Sequence, residues 1–168
     1  LKLRYRNPNK VGADRLAGAL AATSRYPKQD LLVVDCGTAT TVEVVTADGD
    51  YLGGVILPGV GVSASALATN TAKLPRVEIA PPEHVLGRTT VESIQSGLYH
   101  GHVGAIRHIL AALKSEAFPA GNPRVIGTGG FSRMFEREGL FDEIISELVL
   151  WGLKYAEGMN QDPETEKK

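Results

Sequence analysis

An α/β domain is predicted by two features of the residue order: three short apolar, β-prone runs that follow one another across turn residues, and helical stretches on either side of a fourth such run. The runs are residues 31–34, 41–46 and 51–57, and the last two join across Ala47, Asp48 and Gly49, which predicts an antiparallel meander. A mixed sheet with flanking helices follows, in the order of a ribonuclease-H-like domain. With 168 residues, 43% of them hydrophobic and 22% charged, the chain has material for one core.

The elements read in order as follows. Residues 1–5 resemble an incoming strand, and because residue 1 is Leu rather than Met the chain is expected to be part of a longer product. After the turn residues Asn7, Pro8 and Gly12, residues 14–25 carry Leu16, Ala19, Leu20 and Ala22 at helical spacing, with Asp14 near the helix start. Pro58 and Gly59 break the third run, residues 63–70 turn helical, and residues 74–82 form a proline-punctuated connection. A long helix is predicted over 90–117 from the spacing of Val91, Ile94, Leu98, Val103, Ile106, Ile109, Leu110 and Leu113, with Gly97, Gly101 and Gly104 permitting close packing or a kink. The fourth strand, 124–126, ends in Gly127-Thr128-Gly129-Gly130, and an amphipathic helix over 140–159 closes the domain before a polar, frayed tail at 161–168.

Charge and composition exclude several classes of function. A formal net charge of −1 gives no general attraction to nucleic acid or acidic lipid, so an anion site must be local. The single cysteine, Cys36, cannot form an internal disulfide, and there is no long apolar run or signal-like start, which together favour a reducing cytoplasm and no membrane partner. Cys36 reads as a small buried filler. His100 and His102 lie about 200° apart on a helix, and no cysteine or carboxylate completes a metal set with them or with His108.

The chemistry concentrates in residues 34–44, VDCGTATTVEV. Gly37 permits a turn that frees backbone N–H groups to face an anion, Thr38, Thr40 and Thr41 add hydroxyl donors, and Asp35 is a hard oxygen ligand able to hold a cation beside phosphate. A plain hairpin in which Asp35 caps backbone groups accounts for the same string. Asp14 by itself reads equally as a helix cap, Arg15 as half of a surface ion pair, Tyr5 as core packing and Gly127 to Gly130 as a strand-to-helix turn.

Five linked strings change those priorities: Tyr5-Arg6-Asn7-Pro8 with Val11-Gly12-Ala13-Asp14-Arg15; Asp35-Cys36-Gly37-Thr38-Ala39-Thr40-Thr41; Gly53-Gly54-Val55-Ile56-Leu57-Pro58-Gly59; Gly87-Arg88-Thr89-Thr90 through Ser96-Gly97; and Gly127-Thr128-Gly129-Gly130. In order and spacing the chain resembles type III pantothenate kinase over roughly three quarters of its length. The resemblance implies the acetate and sugar kinase, Hsc70 and actin superfamily, and transfer of the ATP γ-phosphoryl group to the primary hydroxyl of pantothenate, the first step of coenzyme A synthesis. It implies that residues 1–30 are a linker and substrate-binding helix, and that 31–160 form a carboxy-terminal ribonuclease-H-like domain. The Asp-x-Gly-Asn-Thr loop that opens members of this family is not found here, so the resemblance covers the central and carboxy-terminal portion. The omitted first domain, a split enzyme and a shortened descendant all stay open.

By the same resemblance, Asp14 is the catalytic base, and Tyr5, Gly12, Ala13, Asp14, Arg15 and Thr90 contact pantothenate. Gly37, Thr38, Gly127, Thr128, Gly129 and Gly130 hold ATP, and Asp35 holds a monovalent cation, potassium or ammonium. Magnesium accompanies the nucleotide. Thr90 reaches the neighbouring subunit's site, which implies a homodimer with composite active sites, while from the residues alone it is a helix N-cap, a role open to a one-residue shift to Thr89. The competing class is a non-catalytic regulatory or transcription accessory protein of the same lineage. A different superfamily member acting on another small acceptor is disfavoured because the Gly-Ala-Asp-Arg and Gly-Gly-Val-Ile-Leu-Pro-Gly strings travel together.

Overall fold

The computed structural model describes residues 1–160, and the tail expected at 161–168 lies outside the described residues. Six strands form one sheet in the order β1 (Lys2–Leu3), β4 (Asp50–Pro58), β3 (Ala39–Val45), β2 (Leu31–Cys36), β5 (Arg124–Thr128), β6 (Glu143–Ile144). The predicted meander is β2-β3-β4, antiparallel throughout, while β1 joins β4, and β5 joins β2 and β6, in parallel. β2 reaches two residues further than the sequence indicates, so Asp35 and Cys36 belong to the strand and the hairpin turn is Gly37 and Thr38.

Helices cover both faces, which is why β2 is an unbroken apolar run before Asp35. On one face α1 (Ala13–Arg25) and α4 (Leu148–Asn160) pack Ala19, Ala21, Ala22 and Leu148 against Leu31, Val33, Val45, Tyr51 and Ile126. On the other, α3 (Thr90–Ala117) packs Tyr99, Val103, Ile106 and Leu110 against Leu32, Val34, Val42, Val44 and Val125. The short helix α2 (Val60–Asn70) rests on the amino-terminal part of α3 through Val60, Ile94 and Leu98. Thr89, not Thr90, is the N-cap of α3: its hydroxyl accepts from Glu92 N–H at 3.2 Å, and the Glu92 carboxylate accepts from Arg88 N–H at 2.8 Å. His102 packs inside, its ring nitrogens 2.9 and 3.1 Å from the Leu98 and Pro58 carbonyl oxygens.

The helix expected over 140–159 is corrected by the sheet. Residues 132–138 form a 3₁₀ segment, Gly139 turns the chain at φ +64°, and the next residues run beside β5, with Asp142 N–H and Ile145 N–H donating to Val125 O and Gly127 O at 2.8 Å each. The spacing of Leu140, Phe141, Ile144, Ile145 and Leu148 mimics a helix, but the open edge of β5 takes Glu143–Ile144 as β6, and the helix begins at Leu148. A second departure is a bulge between β3 and β4: Val44 pairs Gly53 while Val45 pairs Tyr51, leaving Leu52 unpaired and Gly53 at φ +121°.

α1 and α4 approach closely because small residues meet. A Cβ on Gly152 would fall inside the Ala17 backbone, and buried Ala17 and Gly18 form that side of α1. Gly152→Ala is therefore expected to destabilise the chain by about 1–3 kcal/mol, as overpacking does. A shift of the urea midpoint at constant slope measures it, and an unchanged midpoint contradicts the close crossing.

Candidate active site

Two glycine turns meet at the carboxyl ends of adjacent parallel strands. Asp35 on β2 lies opposite Thr128 on β5, so Gly37-Thr38 and Gly129-Gly130 leave the sheet side by side. Phe131 N–H donates to Cys36 O at 3.0 Å and fastens them together. Gly129 has φ +86°, and a Cβ there would lie 2.7 and 2.8 Å from the Cys36 carbonyl carbon and nitrogen, so the close approach of the turns requires glycine. Gly59 N–H donates to Thr38 O at 3.1 Å, which seats the start of α2 on the first turn.

Asp35 is half-buried between these turns. Its Oδ1 lies 3.3 Å from where a Gly37 Cβ would stand and presses on Gly129 from the other side. Burial first, then the charges of Asp14 and Glu43, push its carboxyl above the usual carboxylate range. Cys36, on the opposite face, is buried, and desolvation first and the Asp35 charge second push its thiol up to about 12, which suits the filler role. Among the described residues no group of three or more His, Cys, Asp or Glu side chains is arranged to hold a metal. Asp35 thus offers a single carboxylate.

The first turn of α1 supplies the other half. Gly12, not Asp14, occupies the N-cap, with no side-chain cap. The exposed Asp14 carboxylate folds back over Gly12, where a Cβ would stand 2.5 Å from Oδ1. Ala13, exposed, is the first helical residue. Arg15 turns inward: its Nε and Nη2 each donate to Glu43 at 2.7 Å, making a bidentate pair whose side chains are 11% and 2% exposed. The Tyr51 hydroxyl donates to the same carboxylate at 2.5 Å. Hydrogen bonding to Glu43 raises the Arg15 guanidinium further, and burial followed by the same bond raises the Tyr51 phenol. Tyr5 lies over Gly53, whose absent Cβ would be 3.1 Å from the ring, and stands 6.3 Å from the Tyr51 ring at a 57° tilt. The bulge thus seats Tyr5 beside the pair.

Of the residues singled out in the sequence, Tyr5, Gly12, Ala13, Asp14, Arg15 and Asp35 gather on one side of the sheet with Thr38 exposed at its edge. Gly127 and Thr128 are buried inside β5, and a Gly127 Cβ would meet the Phe141 ring at 2.8 Å, so the turn proper is Gly129-Gly130. Thr90 lines a cleft of about 1160 Å³ together with Leu57, Ser63, Asn70, Thr89 and Gly97 and with none of the α1 residues. Glu43 and Tyr51 are site residues that sequence reasoning missed. The available signal was an acid flanked by Val42 and Val44 within a strand whose neighbours are apolar.

The type III pantothenate kinase family model matches residues 1–112. The chain belongs to that family. Type III pantothenate kinase of Legionella pneumophila (strain Corby) is 49% identical over 160 residues, covering 95% of this chain and 62% of that protein. Type III pantothenate kinase 1 of Francisella tularensis subsp. holarctica (strain OSU18) is 45% identical over 161 residues, covering 96% and 63%. The chain therefore spans about three fifths of the length of the curated pantothenate kinases it matches. In fold it is similar to a conserved protein of Campylobacter jejuni assigned to the Baf family of transcriptional activators, with TM-score 0.64 at 21% identity, covering 95% of this chain and 68% of that one. An archaeal actin homologue gives TM-score 0.58 at 18% identity, covering 86% and 54%. The mixed α/β sheet with flanking helices is thus a fold shared with both of these structures. Among the described residues no helix is long and apolar enough to cross a membrane.

The raised Asp35 carboxyl carries a stability consequence. Its protonated form favours the fold, so that contribution is present below the unfolded-state value and is lost as pH rises through the higher folded-state value. Asp35→Asn is expected to raise the melting temperature at about pH 7 in buffer free of potassium and magnesium, and to leave it unchanged near about pH 3. Thermal melts at both pH values test this, and a variant no more stable at neutral pH contradicts the burial of an unpartnered charge.

Proposed function

We propose that this chain is the acceptor-binding and dimerising part of an ATP-dependent kinase that converts pantothenate to 4′-phosphopantothenate. The observation that carries the reading is the gathering of Asp14, Tyr5 and Asp35 beside two fastened glycine turns, in a chain of the type III pantothenate kinase family. Asp14 is exposed and carries no capping duty, which leaves its carboxylate available to an acceptor hydroxyl. In the proposed step the pantothenate hydroxyl oxygen bonds to the γ-phosphorus, the bond from that phosphorus to the departing ADP oxygen breaks, and the hydroxyl proton passes to Asp14. A loose transition state asks little basicity of the acceptor, so a carboxylate suffices, chiefly by orienting the hydroxyl.

Thr38, exposed on a turn whose Gly37 N–H is held by Ala39 O, faces the phosphates with its hydroxyl, and Gly129-Gly130 lies against the nucleoside, where absent side chains allow close approach. The nucleotide's magnesium needs few protein ligands because phosphate oxygens and water supply most of them. Asp35 suits a monovalent cation: its carboxylate is half-buried between the two turns, where burial and the charges of Asp14 and Glu43 disfavour a bare negative charge. When bound, these ions neutralise charge on the phosphates. Thr90 lines a cleft that includes no α1 residue, and this supports reading its contact with pantothenate as one made across a homodimer with composite sites.

Asp14→Asn is expected to lower phosphopantothenate formation by about 10²–10⁴-fold while pantothenate binding persists, measured by product formation and by calorimetry. Turnover equal to the parent would remove Asp14 as the base. Asp35→Ala is expected to abolish stimulation by potassium, and a variant that potassium still activates would place the cation elsewhere.

A further inference from the structure

Among the described residues Glu43 is the one carboxylate within the buried core. Such a charge is costly unless paired, and apolar residues of similar volume commonly serve stability as well as a buried ion pair does. The expense here is concentrated beneath the reactive turn. Glu43 lies on the α1 face of β3, two residues from Thr41, and Thr41 pairs Asp35. Its two oxygens receive both donors of the Arg15 fork, and one also receives the Tyr51 hydroxyl. Two of the three Arg15 guanidinium nitrogens are thereby committed to Glu43. Successive helical residues point about 100° apart, so an Arg15 held against the sheet directs Asp14 away from it. A guanidinium that pivoted freely would leave that angle to the fraying of a first turn with no side-chain cap.

We propose that Glu43 is a positioning residue: with Tyr51 it clamps Arg15 and so fixes the first turn of α1 with the Asp14 carboxylate turned toward the acceptor. The catalytic half of this statement rests on the reading of Asp14 as the base. The mechanical half does not.

Both halves are tested on the chain as it stands, with Glu43→Gln and with Tyr51→Phe, which removes a single hydroxyl and so guards against a variant that fails to fold. Amide exchange is followed at Leu16, whose N–H donates to Gly12 O at 3.2 Å, and at Ala17. Phosphopantothenate formation is followed with ATP, magnesium and potassium and normalised to folded protein. The expected result is exchange about tenfold or more faster at Leu16 and Ala17 with β2 amides unchanged, kcat lower by about 10–100-fold in Glu43→Gln, a smaller loss in Tyr51→Phe, and KM for ATP within about twofold of the parent. Rates that fall only with the folded fraction, or parental exchange at Leu16 in the folded variants, overturn the proposal. If the unsubstituted chain makes no phosphopantothenate, the kinase reading fails for this chain and the exchange data alone decide whether the clamp exists.

Discussion

The parallel pairing of β2 with β5 is the constraint on which the rest of the site depends. It sets Asp35 opposite Thr128 and brings two glycine turns out of the sheet at the same level. Parallel neighbours require a long crossover, and here the crossover is the whole stretch that contains α2 and the 28-residue α3, which covers the opposite face of the sheet. The fold therefore delivers two glycine turns at the carboxyl end of parallel strands, the usual place for ligand sites in sheets of this kind. Without the Phe131 to Cys36 hydrogen bond and the absent side chain at Gly129, the second turn could not lie against the first.

Electrostatics on the α1 face follow from that placement. Three carboxylates, Asp14, Glu43 and Asp35, share a small region in which Arg15 is bonded to Glu43. Arg15 neutralises Glu43 through a bidentate contact of good geometry, leaving Asp35 with a raised carboxyl and Asp14 outside in solvent. Each acid therefore has a different environment although the side chains are nearly identical. One is structural, one is poised beside the turns, and one is accessible; burial and pairing make the difference rather than residue type.

Much of the fold was legible because burial on both faces imposes an apolar signature on strands and a 3.6-residue period on helices. The meander, α1, α3 and the strand at 124 could be read in that way. The stretch over 140–147 could not, since its apolar spacing satisfies a helix and the decision fell to an unpaired strand edge elsewhere in the chain. The end of β2 was read short by two residues because Asp and Cys do not announce a strand, although pairing with Thr41 and Thr40 continues through them. For the site, Asp14, Arg15 and Asp35 were legible as residue types at telling positions, but the direction each side chain takes was not. Arg15 looks like an anion-binding fork in sequence and turns its Nε and Nη2 to Glu43 in the fold.

The sequence by itself determined the layer architecture, the family strings and the presence of a glycine turn after each of two strands, since these are local matters of hydrophobic period and turn-forming residues. Only the tertiary structure decided which groups meet. It joined Arg15 to Glu43 across 28 residues of chain, set Tyr5 on the bulge at Gly53, buried Gly127 under Phe141 and put Thr90 in a cleft without α1 residues. The physical reason is that pairing energy for a buried charge, and the room left by an absent side chain, depend on neighbours brought together by strand register and helix packing, which no local window of sequence contains.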